Sequence, residues 1–122
     1  LEIGDEILFD RGSAEIKPGG AALLAELAKL LRQQAVTVSV EGHTDDVPIR
    51  NARFASNWEL SAARATNVTR QLIAQAVDPA RVRAVGHADT RARADNGTAE
   101  GRARNRRVTL VLHVPAGVQV DP

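Results

Sequence analysis

Apolar residues recur along this chain with two different periods, and the switches between them lay out its elements. Asp5-Glu6-Ile7-Leu8-Phe9 reads as a short opening strand, followed by a polar, glycine-containing stretch from Asp10 to Gly20. Leu23, Leu24, Leu27, Leu30 and Leu31 then return at helical spacing, with Pro18 suited to the first helical position. Glu26, Lys29 and Arg32 fall off the leucine stripe, so an amphipathic helix is predicted to about Gln34. There the period changes to two. Val36, Val38 and Val40 alternate with Thr37, Ser39 and Glu41, the pattern of a strand with one buried face, which ends at Gly42-His43-Thr44-Asp45.

The start of a second helix is legible in Ser56-Asn57-Trp58-Glu59, an S-x-x-E capping box with Ser56 as N-cap. Ser61, Ala65, Val68 and Leu72 carry it on one face to about Ala76, and Asp78-Pro79 breaks the chain. Val82 to Val85 form a third predicted strand, ending in Gly86-His87-Ala88-Asp89. A polar stretch comes next, with a turn at Asp95-Asn96-Gly97 and one helical turn from Thr98. The last strand runs from Arg107 to Val114, with Val108, Leu110, Leu112 and Val114 on one face. The predicted order, β-α-β-α-β-β, fits an α+β two-layer sandwich with helices packed on one face of a mixed sheet. The 122 residues are expected to form one domain, with a core over about 5–114 and a tail over 115–122. There is also an internal echo: Val40 to Asp45 resembles Ala84 to Asp89, each at the end of a strand, where open α/β sheets tend to bind ligands.

Composition narrows the function classes. With 43% hydrophobic and 25% charged residues the chain is neither disordered nor fibrous, and with no cysteine it offers no disulfide, thiolate ligand or thiol nucleophile. Net charge is only +1 but unevenly spread, with six basic and ten acidic side chains up to Ser61 against ten and five beyond it. That asymmetry points to an anionic group met by the C-terminal half. Arg91, Arg93, Arg102, Arg104, Arg106 and Arg107 could hold phosphates, yet nucleic acid is not expected as a partner. Charge is near balance, and Phe9, Phe54 and Trp58 are the whole aromatic supply for base stacking. No apolar run approaches the roughly 20 residues that span a bilayer, and Leu1 opens no signal peptide, so a soluble domain is expected, whole or cut from something longer.

The polar residues leave several readings open. Asp45 closes the valine strand, and Arg64 lies two turns into the second helix, so the two can flank one cleft. A carboxylate and a guanidinium across a gap suit a zwitterion; a plain salt bridge is the simpler alternative. His43, Asp45, His87 and Asp89 could ligate a divalent metal and support a hydrolase, or the histidines could be satisfied by their neighbours. Ser61 has no histidine at motif spacing, and no glycine-rich phosphate loop is present, so a binding module without cofactor is expected rather than an enzyme. Trp58 reads as a packing anchor or a sugar-stacking platform. Arg106 and Arg107 are adjacent, so they point to opposite faces if both are in the strand.

Three motifs in order resemble the OmpA-like peptidoglycan-binding domain over about residues 5–114. They are Glu41-Gly42-His43-Thr44-Asp45, then Asn57-x-x-Leu60-Ser61-x-x-Arg64-Ala65-x-x-Val68, then Gly101-Arg102-x-x-Asn105-Arg106-Arg107-Val108. Thr44 to Ile49 and Phe54 to Ser61 are similar to the family's flagellar stator branch, of MotB or MotD type, whereas the loop from Asp46 to Ser56 departs from many other members. The resemblance implies the same βαβαββ fold and noncatalytic binding of peptidoglycan through the diaminopimelate of its stem peptide. Asp45 would take the ammonium and Arg64 the carboxylate. Asn57 and the Thr44 region would add hydrogen bonds, with Leu60 and Arg106 in the same pocket. His43 and His87 would be framework, and Gly42 would permit close backbone approach. It further implies a periplasmic domain of an inner-membrane-anchored protein, a MotA-type channel subunit as partner, and a homodimer, since tethered weak sites bind firmly. An outer-membrane tether of OmpA or Pal type is the neighbouring alternative.

Overall fold

A computed structural model describes residues 1–115. One mixed sheet holds four strands in the order β1 (Glu2–Gly4), β4 (Arg107–His113), β2 (Thr37–His43), β3 (Val82–Gly86). Only β2 and β3 run parallel, joined by the long helix α3 (Asn57–Ala74); the other pairs are antiparallel. Helices α2 (Pro18–Arg32) and α3 cover one face of the sheet, and a helical turn α1 (Asp5–Leu8), a 3-10 turn (Pro79–Arg81) and the short α4 (Ala99–Asn105) complete the elements among the described residues. The core forms where the two periods meet. Val38 and Val40 of β2 and Val108 and Leu110 of β4 pack with Leu24, Ala28 and Leu31 of α2 and Ala65, Val68 and Leu72 of α3. Each fully buried Leu or Val is worth about 1.5–3 kcal/mol, so this cluster dominates the stability.

Both predicted long helices and the three later strands are present, with ends within about two residues of those expected. Ser56 caps α3: its Oγ accepts the Trp58 amide at 3.2 Å and donates to the Glu59 carboxylate. That bond holds the Glu59 carboxyl below its ordinary pKa. Pro18 opens α2. The helical turn expected from Thr98 is longer than one turn, capped by Thr98 Oγ1 accepting the Gly101 amide at 2.9 Å.

Three expectations fail. The opening strand is not 5–9 but Glu2–Gly4, and Asp5–Leu8 coils into α1. Gly4 is paired with Arg107, the first residue of β4, and Asp5 N–H carries that pairing one step further by donating to Arg106 O at 3.0 Å before the chain coils. Leu30 leaves the buried stripe and is 60% exposed, while Ala28 takes the core position. The apolar face of β4 outruns its helical cover, leaving Leu112 half-exposed and Val114 beside it equally so. Apart from Pro115, the tail expected at the C-terminus lies outside the described residues.

Two glycines set the helix against the sheet. A Cβ on Gly42 would come within 2.3 Å of Ser61 O, and one on Gly86 within 2.6 Å of Ala62 N. The close approach expected of Gly42 is therefore to α3, whose first two turns are drawn down over the ends of β2 and β3.

Candidate functional site

At the C-terminal end of β2 a pocket of about 280 Å³ opens between the start of α3, the segment from Asp5 to Gly12, and the loop from Thr44 to Ile49. All six residues singled out from the sequence line it: Thr44, Asp45, Asn57, Leu60, Arg64 and Arg106. They reach it for local reasons. Asn57, Leu60 and Arg64 lie three and four residues apart and so share one face of α3. Thr44 and Asp45 come directly after β2, and Arg106 is the residue before β4 begins beside it.

The strand exit is pinned by hydrogen bonds. Thr44 N–H donates to Ala88 O at 2.8 Å, and Thr44 Oγ1 donates to Asp45 O at 2.7 Å. Asp45 Oδ1 accepts the Val47 amide at 3.0 Å, an Asx turn that bends the loop over the pocket. Asn57 Nδ2 ties the same loop to α3 by donating to Val47 O at 3.0 Å. Leu60 is buried beneath.

The charges form a chain of alternating sign. Asp45 Oδ2 accepts from Arg106 Nη1 at 2.8 Å, Arg106 Nε lies 3.6 Å from Asp5 Oδ2, and Asp5 Oδ2 accepts from Arg64 Nη1 at 3.2 Å. Asp45 and Arg64 are thus not each other's salt bridge; each has its own partner across the pocket. Arg64 is only 4% exposed, with Nε donating to Ser13 O at 2.8 Å, Nη2 to Asp10 O at 3.2 Å, and the guanidinium 4.7 Å from the Phe9 ring centre. Burial lowers the Arg64 pKa from its ordinary value, and the Asp5 carboxylate works against that shift. A guanidinium held this way is a rigid donor, and rigid bidentate geometry suits a carboxylate.

Asp5 carries no signal in the sequence. It sits inside a stretch that reads as strand, and its partner Arg64 is 59 positions away, so no local pattern marks it. Arg11, also unmarked, lines the mouth with Val47, Pro48 and Ile49 of the stator-like stretch. Arg106 precedes β4 rather than lying in it, and the two arginines still diverge: Arg106 faces the pocket, and Arg107 is buried on the other side, donating to Arg91 O at 2.9 Å.

The four-residue metal cluster does not assemble. His43 and His87 do meet, but with Glu41, while Asp45 faces the pocket and Asp89 is exposed. The two imidazoles stack at 4.8 Å with 16° between planes. A metal must lie in the plane of each ring that ligates it, and near-parallel stacked planes do not share such a point. His87 Nε2 instead sits 2.7 Å from Glu41 Oε1. Burial would raise the Glu41 pKa, but the His87 and Ser39 hydrogen bonds hold it below its ordinary value. His43 is pushed down to about 4, first by burial and then by the nearby Arg107 charge. Ser61 Oγ is spent on framework, donating to Trp58 O at 3.1 Å and accepting the Ala88 amide at 3.0 Å. Trp58 is 53% exposed and so is not a packing anchor.

Comparison with known proteins agrees with this fold. The OmpA family model matches residues 8–106, most of the chain. Motility protein B of Bacillus subtilis is 41% identical over 119 residues, 96% of this chain and 45% of that protein. Two solved structures superpose well: the cell wall anchor of the T6SS from Pseudomonas aeruginosa (TM-score 0.85, 43% identity, 89% of this chain, 76% of that one) and the periplasmic domain of Helicobacter pylori MotB (TM-score 0.87, 30% identity, 94% and 75%). The chain spans about half the length of the curated relatives it matches. With the family model matched over most of its length, this chain belongs to the OmpA family.

Proposed function

We propose that the domain binds peptidoglycan without catalysis, gripping the dipolar end of diaminopimelate in the stem peptide. The observation that carries this reading is the pocket itself, where Asp45 and Arg64 present opposite charges into one opening. The ammonium of the ligand would meet Asp45, and its carboxylate would meet Arg64 with Arg106 beside it. Asn57 and Thr44 hold the loop that frames it, and Leu60 supplies an apolar floor for the methylene chain. Pairing each charge with an internal partner before the ligand arrives keeps the buried groups compensated while the site is empty.

In this reading the chain is the periplasmic wall-binding part of a MotB- or MotD-type stator subunit, tethered to the inner membrane by a segment outside this sequence and partnered there by a MotA-type channel. Two copies held together would turn a weak site into a firm anchor. The likeness to a probable lipoprotein of Escherichia coli, 39% identical over 113 residues, favours a second setting, an OmpA- or Pal-type tether with the same ligand. Sequence upstream of Leu1 separates them: a transmembrane helix supports the stator, a lipobox or β-barrel the tether.

The test is co-sedimentation with purified peptidoglycan. The domain is expected to pellet with it, and D45A and R64A to remain in solution while keeping native circular dichroism. Full retention of both folded variants in the pellet would contradict the clamp.

A further inference from the structure

We propose that Asp5 is a specificity-determining member of this pocket, which makes it select a dipolar amino-acid head group and reject a carboxylate that lacks the accompanying ammonium. The inference rests on the stem-peptide reading above. Asp5 lines the pocket, its side chain is 14% exposed, and its Oδ2 lies 3.2 Å from Arg64 Nη1 and 3.6 Å from Arg106 Nε. Its position is fixed through the backbone, since Asp5 N–H donates to Arg106 O and the preceding Gly4 is locked into the sheet opposite Arg107.

The other acceptors on Arg64 are the neutral carbonyls of Ser13 and Asp10, so Asp5 is the charge that compensates this buried cation. Asp45 and Asp5 also sit on either side of Arg106. Asp45, Arg106, Asp5 and Arg64 therefore alternate in sign along the opening, which Glu6 and Arg11 also line. A ligand carboxylate approaching Arg64 meets the field of Asp5 as well, and a simple anion gains little. A head group that brings its own ammonium places a positive charge near Asp5 and Asp45, and the repulsion turns into attraction. Discrimination of this kind comes from an unfavourable interaction with the wrong ligand as much as from contacts with the right one.

Calorimetric titration tests it with two probes: a diaminopimelate-containing stem tripeptide, and the same peptide with its free side-chain amine acetylated. Wild type is expected to prefer the free amine by about tenfold or more, the scale of one charge contact in a partly buried site. D5N is expected to shrink that ratio by about tenfold, mainly by binding the acetylated peptide better, a change that loss of packing alone would not produce. An unchanged ratio in folded D5N overturns the role given to Asp5. If D5N does not fold, D5S carries the same measurement, since the smaller side chain leaves room for water on Arg64. Failure of both to fold also overturns it, by making Asp5 a folding residue. Wild type binding neither peptide overturns the stem-peptide reading itself, whereas binding both equally overturns the selectivity proposed here.

Discussion

The chain contains two copies of one short phrase, and they come to different ends. Val40 to Asp45 and Ala84 to Asp89 both finish a strand with Gly-His-x-Asp, and the strands lie side by side in parallel register, Gly42 opposite Gly86. Their glycines do the same thing, each admitting the backbone of α3. Their histidines stack on each other, and Thr44 N–H reaches across to Ala88 O. Beyond that point they part. Asp45 is buried in the pocket and paired with Arg106, whereas Asp89 is exposed and makes no ion pair among the described residues. Position in the sheet explains it. β2 is an inner strand with β4 on its far side, so its exit emerges next to Arg106; β3 is the edge and its exit faces solvent. The phrase builds a strand end that accepts a helix, and the neighbour decides whether that end becomes a site.

The largest test breaks what the copies share. Gly42→Ala and Gly86→Ala each drive a methyl into the backbone of α3, and chemical denaturation should show losses of about 3 kcal/mol, with Gly42→Ala the worse. Equal stability of either variant with wild type would show that the glycines do not set the helix against the sheet. Next comes the point of divergence. D45N should weaken stem-peptide binding at least tenfold, about 1.4 kcal/mol, while D89N changes neither binding nor melting temperature.

The histidines give a pH signature. His43 has a folded-state pKa of about 4, below the 6.5 of the unfolded chain, so below pH 6.5 the unfolded state binds more protons. Its contribution is fully present above about pH 6.5 and is lost as pH falls toward 4, on the order of 2 kcal/mol. H43N should flatten the stability profile across that window, read by denaturation at a series of pH values. The smallest effect concerns Ala88, which is buried with φ at 51° where an L side chain is strained. A88G should stabilise by up to about 1 kcal/mol, offset by the extra freedom of the unfolded glycine.

Much of this is legible in the sequence because it rests on local chemistry. The Ser56 N-cap, the leucine stripe apart from Leu30, and the valine alternation each depend on residues a few positions apart, and all three appear. The six pocket residues are legible by motif, and they do converge on one opening. Asp5, the first strand and the true partners of Asp45 and Arg64 are not. Each depends on which distant backbone happens to lie alongside: β1 exists because β4 pairs with it, and Asp5 is held beside Arg106 by the last hydrogen bond of that pairing. Likewise the two histidines can be placed at strand ends, but not their stacking, which comes from the Gly42–Gly86 register.

The most direct measurement is calorimetry of the wild-type domain with two stem peptides that differ only at their third residue, diaminopimelate in one and lysine in the other. Lysine keeps the ammonium for Asp45 and lacks the carboxylate for Arg64. If the two charges act as a pair, the diaminopimelate peptide binds at least tenfold more tightly, an advantage that R64A abolishes. Equal affinities for the two peptides would contradict it.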